Sequence, residues 1–455
     1  LLPPMPSVNS GFVASGQTIT LSAADGAVIR YTLDGSDPQT SATAQNYSGS
    51  TSFRTPAAGS LLVKAYAQLA EKVSTTSSML WLPKETLYWG TPSNFNRPLF
   101  GLCVSLALNG EQYGLKITEE ETVRRMSPVK DLAHWVRTYG TVNNGHEYIN
   151  KIAKQNDMKV MQGIYISENP THVATQMEGL RQILEMGPDV PDLISIGNEL
   201  SLNQKVSTAT FLGAIEQVRA LLKSKSLVIP VGSVDIAGAT LRHAIIDRLD
   251  FIGVDIYAGT WDNTPESQMV DVTKKMYADE VASYEPKLVL ITEVGTPYSG
   301  GNYVPTGASA TQTPSETKAR NYLDAMITWS HSDGIPLMWF AAYDEKIKSV
   351  EGHKIEEFFG LMDGNLQVHP FFKPPLSNSV VASPEKTVLQ VRPNPVKESF
   401  SVETPEGTKV TVFDMTGKLV LEQNYNGVSV NLSALADGAY IVNVGKSSCK
   451  IIKRK

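Results

Sequence analysis

Cysteine is nearly absent: 455 residues hold two, Cys103 and Cys449, too few for a disulfide framework or a four-thiolate zinc site. No stretch approaches the ~18 apolar residues that a membrane-spanning helix needs, and short apolar runs such as Leu288 to Ile291 suit buried strands instead. A basic excess is missing too. With 40 Lys and Arg against 46 Asp and Glu, net charge −6, there is no positive field to hold phosphates, so no nucleic acid partner is expected. What is present, 42% hydrophobic and 19% charged residues, is an ordinary globular balance, and the length suits roughly three domains at about 150 residues each. The chain starts at Leu1 with neither an initiator methionine nor a signal-like segment, so an export segment is expected to have been removed or never to have existed. Leu1 to Ser7, with prolines at 3, 4 and 6, reads as an extended lead-in.

The first region, 1–82, alternates apolar and polar residues in short runs, Thr18 to Leu21 and Ala27 to Thr32, between Gly, Ser, Asp and Pro. That is the pattern of a small all-β sandwich. Asp34-Gly35 is expected to supply the positive-φ turn of a hairpin. The stretch Ile29 to Pro38 (IRYTLDGSDP), with Tyr47 and Leu62 to Ala67, resembles the chitobiase/β-hexosaminidase C-terminal-type domain appended to secreted glycosidases. Fold does not fix function, so a packing or spacer module and a carbohydrate binder both stay open.

From 83 to 377 the texture changes. Eight apolar runs follow one another: Leu99 to Leu106, Ala133 to Tyr139, Met158 to Tyr165, Leu193 to Gly197, Leu227 to Ser233, Phe251 to Tyr257, Lys287 to Thr292 and Ile335 to Ala341. Between them lie one-sided helical patterns such as Val173, Met177, Leu180, Leu184 and Phe211, Ile215, Val218, Leu222. Continuous apolar strands alternating with such helices predict a parallel sheet covered by helices, and eight units close it into an α/β fold of the (β/α)8 TIM barrel type.

The third region, 378–455, follows a proline-marked linker from Phe372 to Pro384 and returns to short alternating strands, so the barrel is expected between two small all-β sandwich domains. Arg392-Pro393-Asn394-Pro395, Val412 to Val420, Asp437-Gly438-Ala439-Tyr440 and the basic Lys453-Arg454-Lys455, in that order, resemble the C-terminal sorting domain of the type IX secretion system. The resemblance implies a bacterial protein, secreted or held at the cell surface, with that secretion machinery as a partner.

Active sites of TIM barrels lie at the C-terminal ends of the strands. Two of the eight runs end in glutamate-bearing motifs there, Ser195-Ile196-Gly197-Asn198-Glu199 after the fourth and Ile291-Thr292-Glu293-Val294-Gly295 in the seventh. Either glutamate alone reads as an acid neutralising the first turn of the next helix. Both together suit glycoside hydrolysis, which needs a protonated acid for the leaving oxygen and an ionised group for the oxocarbenium-like carbon. No metal or cofactor is required.

These two motifs, with Val136 to Thr141 on the second strand and Tyr343 to Lys348 after the eighth, resemble glycoside hydrolase family 17, the β-1,3-glucanases and related transglycosylases, from Phe100 to about His369. The resemblance implies Glu199 as acid/base and Glu293 as nucleophile, with retention of configuration and carboxyls about 5–5.5 Å apart. It implies a charged network of Glu345, Lys348 and Glu356 near the nucleophile, where the ammonium would keep Glu293 ionised; a surface ion-pair cluster is the lesser alternative for these three. It places Tyr139 and Tyr257 along the sugar at the bond that breaks, where aromatic faces suit a pyranose ring, and Asn198 beside them as a further substrate contact. The first strand (Gly101 to Leu106) and the sixth (Val254 to Trp261) depart from the family pattern, and Trp261 is expected to replace a missing aromatic platform. The expected function is a secreted, monomeric, retaining hydrolase of β-1,3-glucan. A β-1,3-glucanosyltransferase and a catalytically silent surface glucan-binding protein are the alternatives.

Overall fold

Eight parallel strands, β1 (Leu99–Cys103), β2 (Ala133–Arg137), β3 (Lys159–Ile164), β4 (Leu193–Ile196), β5 (Val231–Ile236), β6 (Phe251–Ile256), β7 (Leu288–Val294) and β8 (Leu337–Trp339), pair in that order, and β8 returns to β1 to close a barrel. This computed structural model describes residues 1–84, 97–186, 191–203, 206–239, 243–350, 353–372, 391–392, 396–402, 404, 407–414, 418–444 and 447–453. The linker beyond Phe372, the Pro393-Asn394-Pro395 and Met415-Thr416-Gly417 segments and the terminal Arg454-Lys455 lie outside these residues.

Each of the eight apolar runs lies in one strand of the barrel. The fifth starts at Val231 rather than Leu227, since Pro230 has no N–H for the ladder. The helices are α1 (Glu119–Met126), α2 (His146–Gln155), α3 (Pro170–Leu184), α4 (Leu200–Asn203), α5 (Thr208–Ser224), α6 (His243–Ile246), α7 (Met269–Tyr284) and α8 (Glu316–Asp333). They cover the sheet for the reason their spacing gives: Val173, Leu180 and Leu184 of α3 and Phe211, Ile215, Val218 and Leu222 of α5 are all buried. Asn169 caps α3 by accepting from Thr171 N, and Pro170, with no N–H to waste, occupies the first turn. No described helix is long and apolar enough to cross a membrane.

The inward residues of the strands, among them Phe100, Trp135, Met161, Leu193, Phe251 and Leu290, form one cluster with Leu62, Leu80 and Leu82 of the first region. That region is a six-stranded sheet with Gly11–Val13, Ser77–Pro83, Leu61–Leu69, Val28–Thr32 and Gln45–Asn46 side by side, and the short Lys72–Val73 turning back on Leu61–Leu69. Phe12 sets its ring edge against Phe100 at 5.6 Å and Trp135 at 6.2 Å. The sheet therefore plugs the barrel from the N-terminal ends of its strands, opposite the rim where chemistry is expected, and residues 1–378 form one compact unit. Each fully buried Leu in the plug contributes about 1.5–3 kcal/mol. Among the described residues of the first region no aromatic ring is exposed; Tyr31, Phe53, Tyr66 and Trp81 are buried. Asp34-Gly35 is not a two-residue hairpin turn. Gly35 is left-handed at φ +75, but it sits in the longer loop 33–44, where Asp34 accepts from Ser36 N at 3.0 Å and Thr43 Oγ1 at 2.7 Å. The lead-in contributes a short strand, Met5–Pro6, paired with Leu21–Ser22.

Where plug meets barrel, Asp250 is fully buried. It accepts from Lys64 Nζ at 2.9 Å, from both Arg219 Nη atoms at 3.0 and 3.1 Å, and from Val231 N at 2.9 Å. Burial alone would raise its carboxyl pKa, but the Arg219 and Lys64 charges hold it well below the usual range. Asp250→Ala is expected to cost about 3–5 kcal/mol at neutral pH, because it leaves the Lys64 ammonium buried without its partner. A group with a depressed folded pKa stabilises above its unfolded value and loses that contribution as pH falls through the folded one. Denaturant unfolding should therefore show the gap between wild type and variant full above pH about 4 and closing below it.

The second unit, 379–455, holds a three-stranded sheet (Val391–Arg392, Ser399–Val402, Val430–Asn431) and a four-stranded one (Leu419–Asn424, Lys409–Asp414, Gly438–Val444, Ser447–Lys453). Phe400, Val410, Val412, Val430, Tyr440 and Val442 make its core.

Candidate active site

Strand β7 carries a register shift that decides the site. Along β6, Val254 pairs with Ile291, but the next residue, Asp255, pairs with Glu293, so Thr292 is the extra residue of a bulge. In regular alternation Leu290 faces the barrel interior and Ile291 the helices, and Glu293 would follow Ile291 outward. The bulge instead turns Glu293 inward, where it is 5% exposed. Glu199 is presented differently. The chain leaves β4 through Gly197 at φ +73 and reaches Glu199 at φ +48, a conformation that costs a non-glycine residue about 1–3 kcal/mol and is anchored by Glu199 N donating to Val234 O at 3.1 Å. A Cβ at 197 would come within 2.7 Å of Leu200 Cδ1, so the sharp exit needs glycine.

Three donors converge on Glu293. Arg137 Nη1 reaches Oε1 at 2.7 Å, Tyr139 Oη reaches Oε1 at 2.7 Å, and Tyr257 Oη reaches Oε2 at 2.5 Å. Arg137 is itself 1% exposed; it also donates to Thr292 O at 3.0 Å, to Asp255 Oδ1 at 3.3 Å and to Asn198 Oδ1. Carboxylate oxygens of Glu199, Asp255 and Glu293 lie within 4.8 Å of one another. Such a trio has the donors for a cation, but the guanidinium already bridges Asp255 and Glu293, filling that role with fixed charge. Burial first, and the Glu293 charge second, push Glu199 up to about 8, against the pull of Arg137 and Lys348. Asp255 is raised for the same two reasons.

Glu199, Glu293, Tyr257, Trp261, Lys348 and Glu356 line one cleft of about 540 Å³. Trp261 stands on its wall with His353, ring centroids 5.9 Å apart, and packs against Tyr303 at 6.0 Å. Tyr139 and Asn198 instead line an adjoining depression of about 240 Å³ with Arg137 and the exposed Tyr165. Glu345 is buried beneath the cleft, accepting from Tyr113 Oη at 3.0 Å and lying 3.8 Å from Lys348 Nζ, which sits 4.2 Å over the Phe340 ring. Burial pulls the Lys348 pKa down, but Glu345, Glu293, Glu356 and Glu199 outweigh it and raise it overall. The cation touching Glu293 is thus Arg137, with Lys348 acting across the cleft. Arg137 and Asp255 had a signal in the sequence: each is a charged residue inside an apolar strand, which a barrel tolerates only where partners await it.

Residues 103–360, the span that contains this whole constellation, match the BtgE/BtgC glycoside hydrolase domain family. The chain belongs to that family. Around this hydrolase domain, which is of the family 17 kind, a chitobiase/β-hexosaminidase C-terminal domain matches residues 8–77 and a secretion system C-terminal sorting domain matches 390–455. The latter makes the protein an exported one, extracellular or at the cell surface by way of a bacterial type IX system. Among curated relatives of the BtgE/BtgC domain, the "Probable glucan endo-1,3-beta-glucosidase btgC" of Aspergillus fumigatus is 24% identical over 294 residues, 58% of this chain and 42% of that protein. The "Probable family 17 glucosidase SCW4" of Saccharomyces cerevisiae is 27% identical over 233 residues, 50% of this chain and 56% of that one. The chain thus spans about half the length of the curated relatives it matches. A family 17 β-1,3-glucanosyltransferase from Rhizomucor miehei shares the fold, with TM-score 0.51 and 20% identity over 60% of this chain and 96% of that chain.

Proposed function

We propose that the chain is a secreted, retaining glycoside hydrolase of β-1,3-glucan that works by double displacement, with Glu293 as nucleophile and Glu199 as acid/base. The observation that carries this is the contrast between the two carboxyls. Glu293 is ion-paired with Arg137 and accepts from two phenols, whereas Glu199 is pushed up to about 8 by burial and by the Glu293 charge, so it holds a proton at neutral pH. A carboxyl held in its acid form beside one bound by a guanidinium and two phenols suits a general acid and a nucleophile. Their closeness, within 4.8 Å oxygen to oxygen, suits the short separation of retaining enzymes and not the ~6.5–9.5 Å of inverting ones.

In the first step a Glu293 oxygen attacks the anomeric carbon, the glycosidic C–O bond breaks, and the leaving oxygen takes the Glu199 proton. In the second, Glu199, now a carboxylate, takes a proton from water as that water attacks the anomeric carbon and releases Glu293. A sugar hydroxyl in place of water would make the same residues a glucanosyltransferase, the activity for which the Rhizomucor miehei protein is named. Trp261 and Tyr257 supply faces against which sugar rings can stack.

Purified protein incubated with laminarin-type glucan and short β-1,3-oligosaccharides, with products sized and their anomers followed by NMR, tests the proposal. The β-anomer should appear first; α-anomer first, or no turnover, overturns it. Products longer than the starting oligosaccharide would assign transfer rather than hydrolysis. Removal of 378–455 is expected to leave the specific activity of the remaining unit within about twofold, since that segment has its own core, and to stop export from a host that uses type IX secretion. Loss of activity with export intact would mean that the segment serves the site.

A further inference from the structure

Three carboxyl groups meet where the proposed reaction uses two. Asp255 is 2% exposed, and its two oxygens are treated unequally. Oδ1 accepts from Thr292 Oγ1 at 2.7 Å and from Arg137 Nη1 at 3.3 Å. Oδ2 is buried and has no hydrogen-bond partner among the described residues. The same Arg137 nitrogen makes its short bond, 2.7 Å, to Glu293. The groups that face Asp255 are Arg137 on β2, Cys103 on β1, Glu199 after β4, Tyr257 just past the end of its own strand and Glu293 on β7, so the cation that answers Asp255, Arg137, is shared with Glu199 and Glu293. An ionised Asp255 would leave a bare anionic oxygen sealed from water beside two other acids, which proteins avoid by keeping a proton on the group.

Building on the roles assigned above to Glu199 and Glu293, we propose that Asp255 is a positioning residue that works as a neutral carboxylic acid: Oδ1 fixes Thr292 and the Arg137 guanidinium, Oδ2 carries the proton, and the Arg137 charge is left to Glu293. Burial first and the Glu293 charge second favour that protonated form, against Arg137. The arrangement explains why the bulge in β7 is held in place, since Thr292, its extra residue, is tied to Asp255 across the strand pair. An anionic Asp255 would compete with Glu293 for the guanidinium and add a second negative neighbour to Glu199.

Infrared difference spectra at neutral pH decide the protonation state without reference to turnover. A protonated-carboxyl C=O band should be lost in Asp255→Asn and kept in Glu199→Gln. In kinetics on β-1,3-oligosaccharides, Asp255→Asn, which keeps an acceptor at Oδ1 and hydrogens at Oδ2, should lower kcat up to about tenfold, with KM nearly unchanged and the basic limb of the pH profile in place. Asp255→Ala, which frees Thr292 and Arg137, should lower kcat by on the order of 10²-fold or more. Absence of the band, or an Asp255→Asn variant as poor as Asp255→Ala with its basic limb moved to lower pH, would show that a charge had been removed and would overturn the inference. Should the wild type fail to turn over any β-1,3-glucan while the band is present, the proposed function fails and the assignment of the Asp255 proton stands.

Discussion

Glu293→Gln is expected to lose on the order of 10⁴-fold or more in kcat on laminarin-type glucan, with KM changed little, because the amide cannot form the glycosyl-enzyme. The substitution is nearly isosteric and keeps one of the two acceptor oxygens to which Tyr139 and Tyr257 donate, at 2.7 and 2.5 Å, while a phenol oxygen can accept from the new NH2, so the fold should persist and thermal unfolding checks that it does. A second consequence follows from the charge. After burial, the Glu293 carboxylate is the largest cause that raises Glu199, so in Glu293→Gln the Glu199 titration, followed by NMR of a labelled carboxyl, should move down from about 8 toward the ordinary glutamate value. Turnover within tenfold of wild type in Glu293→Gln would end the double-displacement reading, since catalysis would then proceed without Glu293 as nucleophile.

The second large effect belongs to Glu199. Glu199→Ala should lower turnover of polymeric glucan by about 10²–10⁴-fold, the range supplied by a positioned acid/base. The loss should be much smaller for the first step on an aryl glycoside whose leaving group needs no proton. Azide should then restore turnover and yield the β-glycosyl azide, because Glu293 still forms the intermediate and azide, unlike water, needs no base. In Glu293→Ala azide would instead take the nucleophile's own place and give the α-azide. The same product stereochemistry from both variants would show that the two roles are assigned wrongly. Wild-type kcat/KM carries the matching pH signature: the acid form of Glu199 is the active one, so activity is present below about pH 8 and is lost as pH rises through it.

Much of this was legible in order along the chain. Apolar runs with one-sided helical patterns between them are enough to give eight parallel strands, because a strand buried on both faces must be apolar throughout and a helix laid on it must be apolar on one side. The glutamates of GNE and TEVG stood out by where those runs stop, and both line the cleft. The sorting domain was legible as ordered turn and strand motifs.

What the linear pattern could not carry is whatever depends on registration between distant strands. Alternation along β7 points Glu293 at the helices; only pairing with β6 creates the bulge that turns it inward. Arg137 and Asp255 lie 118 residues apart, and their charges are tolerable only because the closed barrel delivers them to each other. The same holds for Lys64 and Asp250, each a poor choice for burial alone and satisfied where the plug meets the barrel floor. The sequence by itself determined which elements form and which residues end at the rim, since those follow from local periodicity and chain termination of strands. The tertiary structure alone decided which carboxyls burial pushes toward the acid form, which cation answers them and which way each side chain faces, since these are set by desolvation and by neighbours that only folding brings within a few ångströms.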